Sequence, residues 1–549
     1  MLTVVLCVVA VGHLVLGQSP YVTTSQGTMR GQVLKSRDGR DYFSFTKIPY
    51  AKPPVGDLRF KISEKADKWH GTLDATKPIP SCYQTGMFPG QGISGQEDCL
   101  YLNVFSPNIT GRLPVIFSIH GGGFVAGSAG DFGSAKFYMD EDVVFVGPNY
   151  RLGSVGFLSL EDSVIPGNMG LKDQALALEW VQKEISAFGG DPNWITVIGE
   201  SAGGASSDLI CSAPRTNGII KACVSQSGVG LSPWVFMKPG VPRKMALNMA
   251  KALGCNETGD LLKCLQSKPI EQVGNMSLMV DDNNNSNLAT PVLEPENAPG
   301  AILTQWPTGT NHSYPWIIGV CQDEGLLMTV AYELHMTTQE ETEKFINGFN
   351  QTLISAYHLE NRTDDIQKLR ERYFKNGVEP IIAIRNYFSE ALFVYPSLKS
   401  ISKHPGPTYF YKFNYTRSPG SPFKIKVSGV PHAAELPYFY EATSNDPDWP
   451  NQEDIALSKQ LVKMWVNFAR DHTPSSEGMI QWPQFQGKYY LDIQDSGVKI
   501  SNWAEYQETL DFWKSYIPDQ TSTSSTSQSS LFFITTLCLF SIYKTILRQ

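Results

Sequence analysis

The sequence predicts an α/β protein with a central, mostly parallel sheet and helices on both of its faces. Between about residues 100 and 230, short apolar runs alternate with segments of helical spacing, which is typical of a parallel sheet covered by helices. The apolar runs lack a polar face, as expected for strands buried on both sides. The chain has 549 residues, 42% of them hydrophobic, which is ample for such a core.

The elements follow in chain order from local patterns. Strands are predicted at residues 113–120, 142–150, 193–199 and 221–228. Segment 171–189 repeats apolar residues at helical spacing, and Gly189 and Gly190 end it before Pro192. A second helix is expected after Ser201. Sites in parallel α/β sheets form beyond the carboxyl ends of strands, so we expect Ser201 at the functional edge.

Both chain ends differ from the predicted domain, residues 18–518. Residues 1–17 are an apolar run that ends in small residues, and we interpret them as a signal peptide rather than a buried strand. Residues 519–530 form a Ser/Thr-rich spacer, and residues 531–549 form an apolar tail. This combination is typical of a GPI-attachment signal, with Ser522 or a neighbour as the attachment site. A short tail anchor and an unprocessed tail are the alternatives.

Asn-x-Ser/Thr sequons are spread along the chain, as expected for a glycosylated surface in an oxidising compartment. They begin at Asn108, Asn256, Asn275, Asn284, Asn311, Asn350, Asn361 and Asn414. The sequence therefore predicts a protein that is secreted or attached, through the GPI anchor, to the extracellular face of the plasma membrane.

Cysteine spacing and charge bear on bonding and partners. Cys82 and Cys99 flank a glycine-rich loop, and Cys255 and Cys264 flank a short polar segment, so each pair is suited to closing a local loop as a disulfide. The remaining cysteines of the domain are Cys211, Cys223 and Cys321. Their odd number predicts at least one free thiol.

No CxxC or paired-histidine spacing indicates a metal site, and a net charge of −8 without a basic run gives no sign of nucleic-acid binding.

Two glycine-rich motifs carry the chemistry. VIGESAGG, residues 197–204, places Ser201 directly after a predicted strand. G-x-S-x-G between a strand and a helix is a nucleophile elbow, in which Gly199 and Gly203 allow close backbone approach; an ordinary tight turn is the alternative. HGGGF, residues 120–124, follows an earlier strand, and its glycines suit backbone N–H groups that point at an oxyanion. The two motifs in this order predict a hydrolase.

Such a hydrolase needs an acid and then a histidine after the serine. The histidines downstream of Ser201 are His312, His335, His358, His404, His432 and His472, and position alone does not choose among them. Long strings of the chain resemble the type-B carboxylesterases, the family that includes the cholinesterases and the insect esterases. They include EDCLYLNVFSP, HGGGFVAGS and FGGDPNWITVIGESAGG. The resemblance covers nearly all of residues 18–518 and implies an α/β-hydrolase fold with large insertions.

The resemblance also assigns the site. It places the acid of the triad at Glu324, in WIIGVCQDEG, and the histidine at His432, in SGVPHAAEL. With Ser201 these residues would form an acyl-enzyme from a small-molecule ester and then hydrolyse it, with no metal or organic cofactor. The oxyanion donors fall on the backbone N–H groups of Gly122, Gly123 and Ala202. Because a histidine base must be neutral, activity is expected to fall below about pH 6–7.

Other positions match the family around this triad. Glu200 also occurs in cholinesterases, where it either tunes the field at the site or is a solvated or structural carboxylate. Ser227, in SQSG, belongs beside the site, and Trp234 falls where the family lines the acyl pocket. The family's disulfides and recurring ion pairs match Cys82–Cys99, Cys255–Cys264, Arg59–Glu97 and Arg151–Asp173.

The substrate prediction depends on a missing residue. Cholinesterases hold a quaternary ammonium on a tryptophan in the loop closed by the first disulfide, but loop 82–99 contains none. The aromatic residues there, Tyr83 and Phe88, are not at positions that favour stacking on a cation. Juvenile-hormone esterases resemble the chain too, but typically carry glutamine at the position of Glu200. We therefore expect neutral short-chain or xenobiotic esters. A non-catalytic cholinesterase-like adhesion protein and an ester-sequestering protein are the alternatives.

Overall fold

An eleven-stranded sheet forms the centre of the computed structural model. The structure describes residues 19–85, 92–131, 135–237, 239–256, 258–275, 290–307, 309, 311–329, 363–375, 377–417, 427–442 and 447–516. The predicted signal peptide, spacer and apolar tail lie outside these residues. None of the helices within them is long and apolar enough to cross a membrane.

The strands and helices come in the following chain order. The strands are β1 Tyr21–Thr23, β2 Thr28–Arg30, β3 Gln32–Lys35, β4 Asp41–Pro49, β5 Thr72–Asp74, β6 Tyr101–Ser106, β7 Leu113–Ile119, β8 Val144–Pro148, β9 Gly190–Glu200, β10 Ile220–Gln226, β11 Trp316–Cys321, β12 Thr408–Asn414, β13 Tyr489–Gln494 and β14 Gly497–Asn502. The α-helices are α1 Gly153–Phe157, α2 Met169–Glu184, α3 Ala202–Ser212, α4 Val241–Ala252, α5 Leu261–Gln266, α6 Ile270–Gly274, α7 Thr363–Tyr373, α8 Pro380–Phe388, α9 Tyr395–Lys403, α10 Gln452–Asp471 and α11 Ala504–Tyr516. A π-helix, Ser389–Val394, joins α8 to α9.

The large sheet has the order β14-β13-β12-β11-β10-β9-β7-β8-β6-β4-β3. The strands from β13 to β8 in this order are parallel, whereas β14 at one edge and β6, β4 and β3 at the other pair antiparallel. A separate small sheet has the order β1-β2-β5. The predicted α/β-hydrolase class, with a mostly parallel sheet, is confirmed.

Both faces of the sheet are buried, as the apolar runs predict. On β7, Val115 and Phe117 belong to the core cluster that also contains residues of α2 and α3, while Ile116 belongs to the cluster of α10 on the other face. This alternation follows from the two-residue period of a strand. The long chain segments between β10 and β11 and between β11 and β12 supply the large insertions.

The predicted disulfides and ion pairs are present. The expected disulfides Cys82–Cys99 and Cys255–Cys264 are both present, and a third joins Cys211 of α3 to Cys223 of β10. Cys321 is a buried free thiol, which confirms that one of the three leftover cysteines is unpaired. The predicted pairs Arg59–Glu97 and Arg151–Asp173 both form, with closest N–O distances of 2.6 and 2.7 Å.

The described sequons lie at the surface. Asn108, Asn256, Asn275 and Asn311 are exposed, and Asn414, at the end of β12, is partly exposed. The sequons at Asn284, Asn350 and Asn361 lie outside the described residues.

Candidate active site

Ser201 occupies a strained turn between β9 and α3. Its backbone has φ 58° and ψ −123°, a conformation that is rare for residues other than glycine. A Cβ atom on Gly199 would lie 2.2 Å from the carbonyl oxygen of Gly203, and one on Gly203 would lie 2.1 Å from that of Ile119. Only glycine fits at both positions, so the close approach expected for a nucleophile elbow is present. The Ser201 N–H donates to the Gln226 carbonyl at 2.8 Å.

The HGGG loop lies against this turn. A Cβ atom on Gly121 would be 2.8 Å from Glu200 Oε2 and 3.2 Å from Ser201 Cβ. Gly122 and Gly123 both have positive φ, 110° and 59°, which turns their amides away from regular pairing. No described residue accepts a hydrogen bond from the N–H groups of Gly122, Gly123 or Ala202. These three amides are therefore available to a ligand oxygen near Ser201.

His432 and Glu324 come from different segments and meet at the same place. Glu324 follows β11 and is fully buried, and its Oε2 lies 2.6 Å from His432 Nδ1. The other oxygen, Oε1, accepts the Ser227 hydroxyl at 2.5 Å and the Cys321 N–H at 2.7 Å. Ser227 thus orients the carboxylate that in turn orients the imidazole. A buried carboxylate needs such donors, because an unpaired charge there would be costly.

The opposite nitrogen of His432 faces Glu200. The distance from His432 Nε2 to Glu200 Oε1 is 3.1 Å, and both side chains are buried. Burial lowers the pKa of His432, but the carboxylates of Glu200 and Glu324 outweigh it and raise this pKa to about 9. Burial raises the pKa of Glu200 to about 8. The two groups therefore compete for one proton near neutral pH, so Glu200 is neither solvated nor remote from the site.

Sequence reasoning missed a third carboxylate. Glu435 is fully buried three residues after His432, and its Oε2 accepts the Cys321 thiol at 2.9 Å while its Oε1 accepts the Tyr411 hydroxyl at 3.1 Å. Burial raises the pKa of Glu435, with Glu324 adding to the effect. In the sequence, Glu435 is distinguished only as an acidic residue among the small and apolar residues of HAAEL.

Trp234 forms an aromatic wall with residues that the sequence does not single out. Its ring centroid lies 5.9 Å from that of Phe393 and 6.4 Å from that of Phe124. The Phe393 ring is in turn 4.8 Å from the His432 ring. Phe393 lies in the π-helix, where Ser389 Oγ accepts the N–H of Gly325, the residue after Glu324, at 2.8 Å. Phe393 was not predictable, because this contact joins segments far apart in sequence.

The other histidines have different surroundings. His312 lies near Asp208, His404 Nε2 lies 2.9 Å from the Tyr314 carbonyl oxygen, and the His472 ring stacks on Trp194. His335 and His358 lie outside the described residues.

The loop closed by the Cys82–Cys99 disulfide is hydrogen-bonded to the chain just after the HGGG motif. Gln84 Oε1 accepts the Gly127 N–H at 2.9 Å, and its Nε2 donates back to the Gly127 carbonyl at 3.2 Å. Tyr83 points elsewhere, because its hydroxyl donates to Asn275 Oδ1 at 3.1 Å, just after α6. Phe88 lies outside the described residues.

Comparison with known proteins identifies the family of this chain. The model of the carboxylesterase family matches residues 18–513. The chain belongs to the carboxylesterase family. Within the family it is 32% identical over 521 residues to juvenile hormone esterase of Tribolium castaneum, covering 88% of each chain. It is 33% identical over 548 residues to a carboxylic ester hydrolase of Bombus ignitus, covering 92% of this chain and 96% of that one.

A solved structure agrees with the fold of this carboxylesterase-family chain. The crystal structure of juvenile hormone esterase from Manduca sexta, with OTFP covalently attached, superposes with a TM-score of 0.79 at 25% identity. The match covers 91% of this chain and 99% of that one. The resemblance to type-B carboxylesterases that the sequence motifs indicate is therefore confirmed, and ester hydrolysis is the activity that the family supports.

Proposed function

We propose that the protein is a serine carboxylesterase with the triad Ser201, Glu324 and His432. The observation that carries this proposal is the contact of His432 Nδ1 with the fully buried Glu324 at 2.6 Å. The other nitrogen of His432 lies 3.1 Å from Glu200, the residue before Ser201 in the strained turn. A base oriented by a buried acid, next to a partly exposed serine on an elbow, is the arrangement that acyl transfer requires.

The proposed reaction has the following steps. Ser201 Oγ attacks the ester carbonyl while His432 accepts its proton, and His432 then donates this proton to the leaving alcohol. Glu324 fixes the imidazole with Nδ1 protonated and stabilises the imidazolium. Water, activated by His432, releases the acid from the acyl-enzyme. The unpaired N–H groups of Gly122, Gly123 and Ala202 support their role as oxyanion donors.

The Glu200 carboxylate affects the pH above which His432 is neutral. It lies 3.1 Å from Nε2, the nitrogen that must accept the serine proton, and a carboxylate this close favours the imidazolium. Catalysis therefore needs a proton to leave the Glu200–His432 pair. The sequence-based expectation of a fall below about pH 6–7 considered His432 with Glu324 alone, and Glu200 moves the predicted midpoint upward.

Two other functions use the same fold. An adhesion protein without catalysis would not need a filled triad and a buried acid held by three partners, so this geometry favours the enzyme. An ester-sequestering protein would use the same residues with slow deacylation. The exchange Ser201→Ala tests the enzyme proposal, because no acyl-enzyme forms without the hydroxyl.

The aromatic wall supports neutral esters with short acyl chains as substrates. Phe393 lies next to His432 and Trp234 packs near Phe393, so these rings take up space beside the site that a long acyl group would need. The names of related proteins include juvenile hormone esterase, but Glu200 stands where those esterases typically carry glutamine. The quaternary ammonium of a choline ester would find no tryptophan in loop 82–99. The Tyr83 hydroxyl in that loop is hydrogen-bonded to Asn275 instead.

This substrate proposal predicts poor use of choline esters. We expect kcat/KM for a choline ester to be no higher than for an uncharged ester with the same acyl group, because a cation–π contact of about 0.5–2 kcal/mol is missing. Steady-state kinetics on the matched pair measure the ratio. A preference for the choline ester of about tenfold or more would show that a cation site exists.

We further propose secretion and a GPI anchor. The support is the apolar run 1–17, the exposed sequon residues and the spacer and tail at 519–549. The relatives include a venom carboxylesterase of Apis mellifera, whose name fits an exported protein. Cells expressing the full chain should release the protein when treated with a phosphatidylinositol-specific phospholipase. Recovery of the terminal peptide YKTILRQ from the mature protein would contradict the anchor.

A further inference from the structure

The turn that carries two of the proposed oxyanion donors is closed on itself. The Gly122 carbonyl accepts the N–H groups of Val125 and Ala126, both at 3.0 Å. A Cβ atom on Gly122 would lie 2.1 Å from the Ala126 carbonyl oxygen. In a planar trans peptide the carbonyl and the N–H point in opposite directions. The Gly123 N–H shares its peptide with the Gly122 carbonyl and therefore points away from the amides of Val125 and Ala126.

The preceding peptide is held in a similar way. His120 Nδ1 lies 2.9 Å from the Gly121 carbonyl oxygen. Because a carbonyl only accepts hydrogen bonds, Nδ1 carries the proton of this contact. Burial lowers the pKa of His120 to about 4, so the ring is neutral near pH 7. The Gly122 N–H lies on the opposite side of the same peptide and is therefore directed away from the His120 ring.

Gly127 follows the turn and packs against this peptide. A Cβ atom on Gly127 would lie 2.5 Å from the Gly121 carbonyl oxygen and 2.6 Å from His120 Nδ1. The Gly127 backbone is therefore in close contact with the peptide that carries the Gly122 N–H. Because closely packed groups transmit displacements, a shift of Gly127 would change the direction of this N–H.

Gln84 holds Gly127 with both polar atoms of its side-chain amide. Oε1 accepts the Gly127 N–H at 2.9 Å, and Nε2 donates to the Gly127 carbonyl at 3.2 Å. Among the described residues, Gln84 supplies the only side-chain hydrogen bonds to the backbone of residues 122–127. The position of Gly127 therefore depends on this one side chain more than on any other described polar group.

The disulfide loop in turn fixes Gln84. The Gln84 N–H donates to the Ser94 carbonyl and the Ser94 N–H donates to the Gln84 carbonyl, both at 3.0 Å. Nε2 of Gln84 also donates to the Cys82 carbonyl at 3.2 Å, and Cys82 is bonded to Cys99. The amide that binds Gly127 thus projects from a cross-linked segment.

We propose that Gln84 is a positioning residue for the oxyanion donors. This inference rests on the proposed serine esterase function and extends it to a side chain outside the triad. Gln84 holds Gly127, and Gly127 keeps the Gly121 peptide in place. The N–H groups of Gly122 and Gly123 then remain aimed at the oxyanion. Donors of this kind act mainly in the transition state, so loss of the Gln84 amide should lower kcat rather than raise KM.

Steady-state kinetics of Gln84→Met with an uncharged short-chain ester test the proposal. Methionine keeps the length of the side chain and removes both hydrogen bonds to Gly127. We expect kcat to fall at least tenfold while KM stays within threefold of the wild-type value. A trifluoromethyl ketone, which forms a tetrahedral adduct with a nucleophilic serine, should bind more weakly by the same factor as kcat/KM falls.

A second variant and a control separate positioning from general stability. Gln84→Ala removes the amide without adding another group, and it should show the same fall in kcat while its thermal unfolding stays close to that of the wild type. Gln96→Met is the matched control. Gln96 is an exposed glutamine of the same disulfide loop, and its Nε2 donates within that loop, to the Asp98 carbonyl at 2.7 Å. Its exchange should leave kcat and ketone binding within twofold.

Several results would overturn the proposal. They are a fall in kcat of less than tenfold in the folded Gln84 variants, a rise in KM as large as the fall in kcat, ketone binding that does not weaken with kcat/KM, or a more than twofold loss in Gln96→Met. Each of these results, with an active wild type, would leave the proposed esterase function intact. A wild-type protein that neither hydrolyses the ester nor binds the ketone would overturn the proposed function and this inference together.

Discussion

His432 lies between two carboxylates that act on different nitrogens. Glu324 accepts from Nδ1 and fixes the tautomer, whereas Glu200 lies 3.1 Å from Nε2. A negative charge on either side favours the imidazolium, and together the two outweigh the effect of burial on the pKa of His432. The pH dependence of catalysis therefore reports on Glu200 as much as on the triad.

Glu200→Gln should shift the pH profile to lower pH. The wild-type profile of kcat/KM is expected to rise with pH through a midpoint above the ordinary histidine value of about 6.5, because the raised pKa of about 9 must be passed before His432 is neutral. Removal of the Glu200 charge lowers this pKa, so the midpoint should fall by about 1 unit or more. Profiles measured with an uncharged ester record the shift.

Glu435→Gln is the matched control for that profile. Glu435 is also buried near His432, but it is the weakest of the contributors that raise the pKa of His432. Its exchange should move the midpoint by less than Glu200→Gln does. Equal shifts in both variants, or no shift in Glu200→Gln, would contradict the role assigned to Glu200.

Prediction at the level of residues was possible where a motif carries the information. Ser201 is marked by its glycines, and Glu324 and His432 are marked by family strings. Phe393 and Glu435 have no such mark, because their roles come from contacts with His432 and Cys321 that only the folded chain creates. The effect of Glu200 on His432 Nε2 also depends on the fold, which brings together two residues that are 232 positions apart in sequence (432 − 200).

At the scale of elements, helix α2 is joined to the insertion after β10 by a buried ion pair. Lys172 Nζ lies 2.5 Å from Glu294 Oε1, and both side chains are fully buried. Glu294 Oε2 also accepts from Asn168 Nδ2 at 2.9 Å and from the Ile302 N–H at 2.9 Å. The pair holds the chain segment around residue 294 against the helix that covers the sheet.

Lys172→Met should destabilise the protein strongly. It leaves a buried carboxylate without its cation, which typically costs about 3–5 kcal/mol in the free energy of unfolding. Urea denaturation followed by fluorescence measures the change. Lys459→Met is the control, because Lys459 and Asp38 form a half-exposed pair that is worth about 1 kcal/mol or less. Similar losses in both variants would contradict the structural role of Lys172.

The predicted elements were those with a clear apolar pattern. The predictions at residues 113–120, 142–150, 193–199 and 221–228 correspond to β7, β8, β9 and β10, and the helix predicted at 171–189 corresponds to α2 and the short 3-10 turn after it. These strands are mostly buried on both faces, so much of each run is apolar. Edge strands such as β3 and β14 are partly exposed, and their mixed composition does not distinguish them from loops.

For the whole molecule, the sequence predicted the class of the sheet but not its strand order. In the observed order β7 lies between β9 and β8, so the HGGG loop after β7 lies beside the elbow after β9. This order depends on long-range strand pairing, which a local sequence pattern does not reveal. The disulfide Cys211–Cys223 was also left open, because spacing alone does not reveal that α3 and β10 are neighbours. The processing of both chain ends remains a prediction, since residues 1–18 and 517–549 lie outside the described part.

The central claim is that one serine carries ester hydrolysis, and the Ser201→Ala variant tests it most directly. Wild-type protein should hydrolyse an uncharged short-chain ester and take up one organophosphate label per chain, on the peptide that contains Ser201. The variant should take up no label and lose at least about 10³-fold in kcat, while its thermal unfolding stays close to that of the wild type. A folded Ser201→Ala protein that hydrolyses the ester at a rate near that of the wild type, or a label on another residue, would contradict the account.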